Sequence, residues 1–132
     1  MSSEGRGPAS VEGGPYWVLL LQRDAPDVLY EAAAMTAAAV SLGVGVTLVW
    51  FDAALGALVS GSLEENGRDE PASAWRLFAE ARETGRVRML ACSASMVSRK
   101  LSPDAMRVKV DDVVGWPTAV SLIRRAERSF VW

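Results

Sequence analysis

The sequence contains no histidine and only one cysteine, Cys92. The absence of histidine excludes serine or cysteine triads that use imidazole as the base, and every metal site built on imidazole. One cysteine also excludes intramolecular disulfides and cysteine clusters. We therefore expect no metal centre and no resident cofactor. The chemistry that the composition leaves open is that of a lone thiol.

The chain also lacks long apolar runs and a strong net charge. No stretch approaches the roughly 20 continuous apolar residues that cross a bilayer. The 132 residues are 50% hydrophobic and carry a net charge of -2, so we expect a soluble globular domain with no membrane and no nucleic-acid partner. Residues 1–14 are rich in Ser, Gly and Glu and have no apolar core. We expect them to form a disordered tail, not a signal peptide, and the protein to be cytoplasmic.

Charge is unevenly distributed along the chain. Residues 1–84 have a net charge of -7, whereas residues 85–132 have a net charge of +5. A fold can mix such halves over its surface, and then the asymmetry has no consequence. Alternatively, a basic surface around the third and fourth strands attracts an anionic ligand or an acidic partner.

Short apolar runs alternate with helical patterns over the rest of the chain. The predicted strands are residues 16–21, 44–51, 87–91, 106–110 and 129–132, and the predicted helices are residues 27–42, 53–59, 71–84, 117–127 and a segment directly after Cys92. Gly43 and Gly85 are predicted helix stops, and residues 60–70 are a predicted loop. This alternation predicts an α/β fold: a single domain over residues 15–132, with a mainly parallel five-stranded sheet in a three-layer sandwich.

Ligands of parallel sheets bind at the carboxyl ends of the strands. Cys92 ends the third predicted strand, and it is the one nucleophile at these ends that helix-terminal amides and nearby cations can activate without histidine. The other candidate site residues lie at or just after predicted strand ends: Asp24, Asp52, Ser93, Ala94, Ser95, Gly115 and Trp116. The aspartates also fit a Mg²⁺ or phosphoacceptor pocket, although Asp at strand ends more often caps helices. An unpaired cysteine, in turn, is often a small buried hydrophobe.

The segment VRMLACSASM around Cys92, the DDVVG segment downstream and the terminal FVW strand together resemble the DsrE/DsrF-like sulfur-relay family. The resemblance covers nearly the whole chain from Trp17 onward. It implies a flavodoxin-like α/β sandwich and small oligomers, often trimers or multiples of them. In members that act in sulfur oxidation or transfer RNA thiolation, it also implies a persulfide on the cysteine at the position of Cys92.

The leading hypothesis is a sulfur carrier or sulfurtransferase in which a partly accessible Cys92 holds a persulfide. Ser93, Ala94 and Ser95 then stabilise the anionic sulfur through amides and hydroxyls, Gly115 and Trp116 form a wall, and the Asp24 and Asp52 loops form the rim. Since no second cysteine exists, donor and acceptor proteins are required. Two alternatives stay open: an oligomeric module that binds a small ligand or a protein and has a buried structural Cys92, and a structural subunit without a site. We expect the oligomer interface at residues 106–110 and 53–59.

Overall fold

The computed structural model describes residues 15–64, 72–107 and 109–132. The elements follow the chain in this order: β1 Tyr16–Leu21, α1 Pro26–Ser41, β2 Gly45–Trp50, α2 Asp52–Ser60, a 3₁₀ turn Ser62–Glu64, α3 Ala74–Arg82, β3 Val87–Cys92, α4 Ser93–Ser98, α5 Pro103–Arg107, β4 Asp112–Val114, α6 Trp116–Arg125 and β5 Arg128–Val131. The predicted tail at residues 1–14 and much of the predicted loop at residues 60–70 lie outside the described residues.

The five strands form one parallel sheet in the order β4-β3-β2-β1-β5. The predicted α/β class and parallel five-stranded sheet are confirmed, and the sheet is consistent with a flavodoxin-like three-layer sandwich. The chain steps in one direction from β1 to β4 and then returns past β1 to form β5. Because such crossovers are almost always right-handed, the return places α6 on the face opposite to the other helices.

Apolar side chains on the two faces of the sheet form two separate cores. The larger core packs the sheet against α1, α2 and α3, and includes an edge-to-face contact of 5.3 Å between the rings of Trp50 and Phe78. The smaller core packs the opposite face against α6. There the Tyr16 hydroxyl donates to the Leu122 carbonyl at 2.6 Å, which ties β1 to α6. Burial raises the pKa of the Tyr16 phenol, and the Arg125 guanidinium offsets part of this rise.

The chain leaves α1 and the α3 segment through glycines with positive φ. Gly43 has a φ of 85° and Gly85 has a φ of 78°, which are values that side chains with a Cβ rarely adopt. Both predicted helix stops are therefore confirmed. At its other end, α3 begins with a capping hydrogen bond of 3.1 Å from the Arg76 amide to the Ser73 hydroxyl.

The predicted strand at residues 106–110 is wrong. Residues 103–107 form α5, and the fourth strand is the three-residue β4 further along the chain. Met106 and Val110 are both buried in the larger core, four residues apart, which is the spacing of one helical turn. With Val108 between them they also alternate like a half-exposed strand, so the pattern fits both structures. Pro103 suits the first helical position and favours the helix.

Asp111 sets where the fourth strand begins. Its backbone amide donates to the Met89 carbonyl at 2.7 Å, and its carboxylate accepts a hydrogen bond of 2.7 Å from the Met89 amide. The other carboxylate oxygen lies 2.8 Å from the Arg82 guanidinium on α3. Asp111 thus makes the first contacts with β3 through both its backbone amide and its carboxylate, and the strand pairing continues from Asp112.

Most apolar side chains that the structure describes in the expected interface segments are buried. In α2, Leu55 and Leu58 are fully buried within the chain, and Met106 and Val110 are buried as described above. These apolar residues serve the core of the single chain, so they contribute little apolar area to an interface, and its location at residues 53–59 and 106–110 stays a prediction. Among the described residues, the large apolar side chains that are exposed are instead Leu42, Val97, Val113, Trp116, Val120 and Val131.

We predict that Asp111→Ala lowers the free energy of unfolding by about 2 kcal/mol, because it removes a charged hydrogen bond to Arg82 and leaves the Met89 amide without its partner. The matched control is Asp112→Ala at the neighbouring exposed position, whose carboxylate accepts a hydrogen bond of 2.8 Å from the adjacent Val113 amide. Because this is a local, exposed contact, the control should lower stability by less than about 1 kcal/mol. Urea unfolding followed by circular dichroism measures both. Equal effects of the two substitutions would show that Asp111 does not hold β4 in place.

Candidate functional site

Cys92 lies at the carboxyl end of β3, between two apolar neighbours on the α6 side of the sheet. In register, Cys92 pairs with Val114 of β4, and Ala91 pairs with Trp50, the residue before Phe51. The smaller core contains the side chains of Cys92, Val114 and Phe51, and Cys92 is only 2% exposed. The expectation of a partly accessible thiol is therefore wrong for the single chain, because the side chain points inward beneath α6.

Trp116 stands at the outer side of this group. It is the first residue of α6, and its ring stacks on the Phe51 ring at 4.8 Å with an angle of 23° between the planes. Trp116 remains 49% exposed, whereas Phe51 is buried. The indole therefore covers the immediate neighbour of Cys92 and forms one wall of the strand-end group.

The residues that directly follow β3 and β4 lie next to each other beside Cys92. A Cβ added to Gly115 would lie 3.7 Å from the Ser93 hydroxyl and 3.6 Å from the ring of Pro117. These are ordinary van der Waals distances, so Gly115 and Ser93 are neighbours. The structure thus brings together Cys92, Ser93, Gly115 and Trp116 from the predicted set.

Ser95 and Asp52 form a reciprocal pair of hydrogen bonds between α4 and the first residue of α2. The Asp52 amide donates to the Ser95 hydroxyl at 3.0 Å, and this hydroxyl donates to an Asp52 carboxylate oxygen at 3.3 Å. Ser95 is buried. Since its hydroxyl is engaged in both directions, it links α4 to the start of α2 and is not free for the predicted contact with sulfur.

Asp52 adopts a left-handed backbone conformation, with a φ of 44°. Aspartate tolerates this region better than most residues, but the conformation still costs roughly 1 kcal/mol relative to glycine. The strain lies directly after β2, one residue from Phe51. The paired hydrogen bonds with Ser95 offset part of this cost.

Two predicted residues lie apart from the group. Asp24 is exposed in the connection after β1, two strands from β3 and therefore roughly 10 Å across the sheet. Ala94 is exposed on α4 and offers only backbone groups. Phe51 belongs to the same group as Cys92 but was not among the predicted site residues, although its position at the end of the apolar run 44–51 marked it as a strand-end residue.

Within residues 15–64, 72–107 and 109–132, no group of three or more His, Cys, Asp and Glu side chains is placed to hold a metal ion. In the same part of the chain, no helix has both the length and the apolarity to cross a membrane.

Comparison with known proteins supports the fold. The chain is similar to the solved structure of MTH1491, a protein of unknown function from Methanobacterium thermoautotrophicum, with a TM-score of 0.66 and 17% sequence identity. The match covers 88% of this chain and 98% of that one. No protein-family model matches the sequence, and no curated protein does either. At this identity the likeness establishes the architecture alone.

We predict that Asp52→Gly is more stable than Asp52→Ala by about 1 kcal/mol, because both lose the carboxylate but only alanine is strained at positive φ. Chemical denaturation of the two variants provides the comparison. Asp52→Asn, which keeps a side-chain oxygen for Ser95, should lie closest to the unmodified protein. An alanine variant as stable as the glycine variant would mean that the left-handed conformation carries no strain.

We also predict that Trp116→Ala raises the rate of Cys92 alkylation by iodoacetamide at least about tenfold, because removal of the indole uncovers Phe51 beside the thiol. Val97→Ala on α4 is the control, since it removes an exposed apolar side chain without touching Phe51. The measurement is the alkylation rate under native conditions, followed by intact mass. Equal rates for both variants would show that Trp116 does not protect the thiol.

Proposed function

We propose that this protein is a cytoplasmic sulfur carrier that accepts a sulfane sulfur on Cys92 as a persulfide and passes it to a partner. The observation that carries the proposal is the position of the chain's one thiol. It ends a strand inside the sheet, with Ser93 and Gly115 beside it and the half-exposed aromatic side chain of Trp116 at its outer wall. The resemblance of this segment to sulfur-relay proteins supports the same function.

The proposed transfer needs no metal, cofactor or histidine. The Cys92 thiolate attacks the outer sulfur of a donor persulfide, a bond forms between the two sulfurs, and the donor's own S–S bond breaks. The donor leaves as a thiolate, and Cys92 carries the persulfide. Attack on the same terminal sulfur by an acceptor thiolate reverses these events and regenerates Cys92. Because the chain has no second cysteine, the acceptor must be another molecule.

Burial of Cys92 adds a requirement to this function. A thiol that is 2% exposed cannot meet a donor sulfur without local opening. Trp116 lies at the beginning of α6 with half of its surface free, so movement of its side chain disturbs fewer contacts than movement of the strands. We therefore place the opening step at Trp116.

The same burial favours a second function, a binding module without catalysis. In that case Cys92 acts as a small apolar residue of the core beneath α6. The exposed side of Trp116 and the strand-end loops would then contact a ligand or a protein. The two functions differ in whether the folded protein exchanges sulfur at Cys92.

We predict that the protein gains the mass of one sulfur atom when it is incubated with a cysteine desulfurase and cysteine, or with thiosulfate and a rhodanese. Dithiothreitol should remove this mass, because a thiol exchanges readily with a persulfide. Intact mass spectrometry measures both steps. Cys92→Ala is the control, since alanine fills a similar small buried volume and carries no thiol.

Loading of the unmodified protein separates the two functions, because only the carrier takes up sulfur at Cys92 without a substitution. If the unmodified protein loads, faster loading of Trp116→Ala supports gating at Trp116. If neither protein gains sulfur while the same donor loads glutathione, the carrier function is contradicted and the binding module remains.

A further inference from the structure

Helix α6 presents an exposed stripe that combines apolar and basic side chains. Trp116, Val120 and Arg124 follow each other at four-residue spacing, so they share one side of the helix. Trp116 and Val120 are 49% and 48% exposed, and Arg124 is exposed as well. Tryptophan and arginine are the residues most enriched at the energetic centres of protein interfaces. The stripe therefore has the composition of a contact surface.

Helix α1 presents an exposed stripe with the opposite charge. Asp27, Glu31, Ala34 and Ala38 lie on one side of the helix and are all exposed, and Leu42 just beyond the helix is 79% exposed. The stripe is acidic at its amino end and small and apolar toward its carboxyl end. Beside the apolar end runs a groove of about 250 Å³ between α1 and α3, lined by Ala37, Val40, Ser41, Leu77, Glu80, Ala81 and Thr84.

We propose that α6 of one copy of this chain packs antiparallel against α1 of a second copy. The exposed half of the Trp116 ring covers the groove between α1 and α3, and Arg124 meets Glu31. The proposal does not depend on the sulfur-carrier function, because it rests on the two helix surfaces alone.

The spacing of the two stripes fixes the register. Trp116 and Arg124 are eight residues apart, which is about 12 Å along a helix at 1.5 Å per residue. With Trp116 opposite Ala38, an antiparallel α6 brings Arg124 next to Glu31 and within a turn or so of Asp27. A parallel α6 would carry Arg124 past the end of α1, away from both carboxylates. Only the antiparallel arrangement pairs apolar with apolar and basic with acidic residues.

The charged residues of this contact are free to pair. In the described part of the chain, Asp27, Glu31 and Arg124 form no ion pair with one another or with other side chains. Trp116 keeps its stack on Phe51, because the contact uses the other, exposed side of its ring. The contact therefore needs no rearrangement of the single chain.

The position of the two surfaces determines the kind of assembly. Helix α1 lies on one face of the sheet and α6 on the other, so each copy contributes two different surfaces. Such a head-to-tail contact closes into a ring when its rotation permits, and otherwise continues as a filament. A trimeric ring is one closed form of this contact.

Sedimentation velocity over a concentration series tests the proposal. We expect the unmodified protein to sediment as a multiple of the 14.2 kDa chain. Arg124→Glu should lower the association constant at least about tenfold, because it places like charges together. Lys100→Glu, which changes the net charge equally at an exposed position on another helix end, should change the association constant less than about twofold. Circular dichroism of each variant shows that the fold is retained.

Charge reversal on both sides provides the decisive comparison. The variant with both Glu31→Arg and Arg124→Glu should regain the association lost in Arg124→Glu, because every contact then pairs opposite charges again. Trp116→Ala should weaken association and Val97→Ala should not. A monomeric unmodified protein at tens of micromolar, an assembly indifferent to Arg124→Glu, or a double variant that does not recover would each overturn the proposal.

Discussion

The return of the chain from β4 to β5 is the constraint on which the rest of this structure depends. These strands lie at opposite edges of the sheet, about 19 Å apart at 4.8 Å per strand spacing. One crossover must span this distance, and its ten-residue helix is only about 15 Å long. A single helix therefore covers part of one face, whereas several helices cover the other. The Tyr16 hydrogen bond to Leu122 anchors this helix near the amino end of β1.

That single helix decides the environment of Cys92. The strand end that the sequence marks as an open edge for ligands lies beneath the beginning of α6, between Phe51 and Val114. A thiol there is protected from solvent by few groups, of which Trp116 is the outermost. Helix ends open at lower cost than strands inside a sheet. The site therefore combines a rigid base, built from three strands, with a cover that has few contacts.

Local sequence signals were sufficient to predict the parts of the fold that local interactions determine. The apolar runs of β1, β2 and β3, and the helix stops at Gly43 and Gly85, follow from residues adjacent in sequence. The start of β4 does not follow from adjacent residues, because it depends on a pairing of Asp111 with Arg82, which is 29 positions away.

The candidate site also combines features that local sequence determines with features that depend on distant contacts. The position of Cys92 at a strand end could be predicted from the sequence, since it follows from the run of apolar residues before it. Its burial could not, because that depends on how α6 crosses the opposite face. The hydrogen bond of the Ser95 hydroxyl could not be predicted either, since its partner Asp52 lies 43 positions earlier in the chain.

Trp116 joins the site and the proposed assembly in one side chain. One side of its ring rests on Phe51 beside Cys92, and the other side is the surface that the second copy would cover. When one group takes part in two equilibria, each equilibrium changes the other by the same free energy. A neighbouring copy that holds the indole in place would therefore keep the thiol covered. A sulfur donor that displaces the indole would have to compete with that copy, so sulfur loading and subunit association would oppose each other.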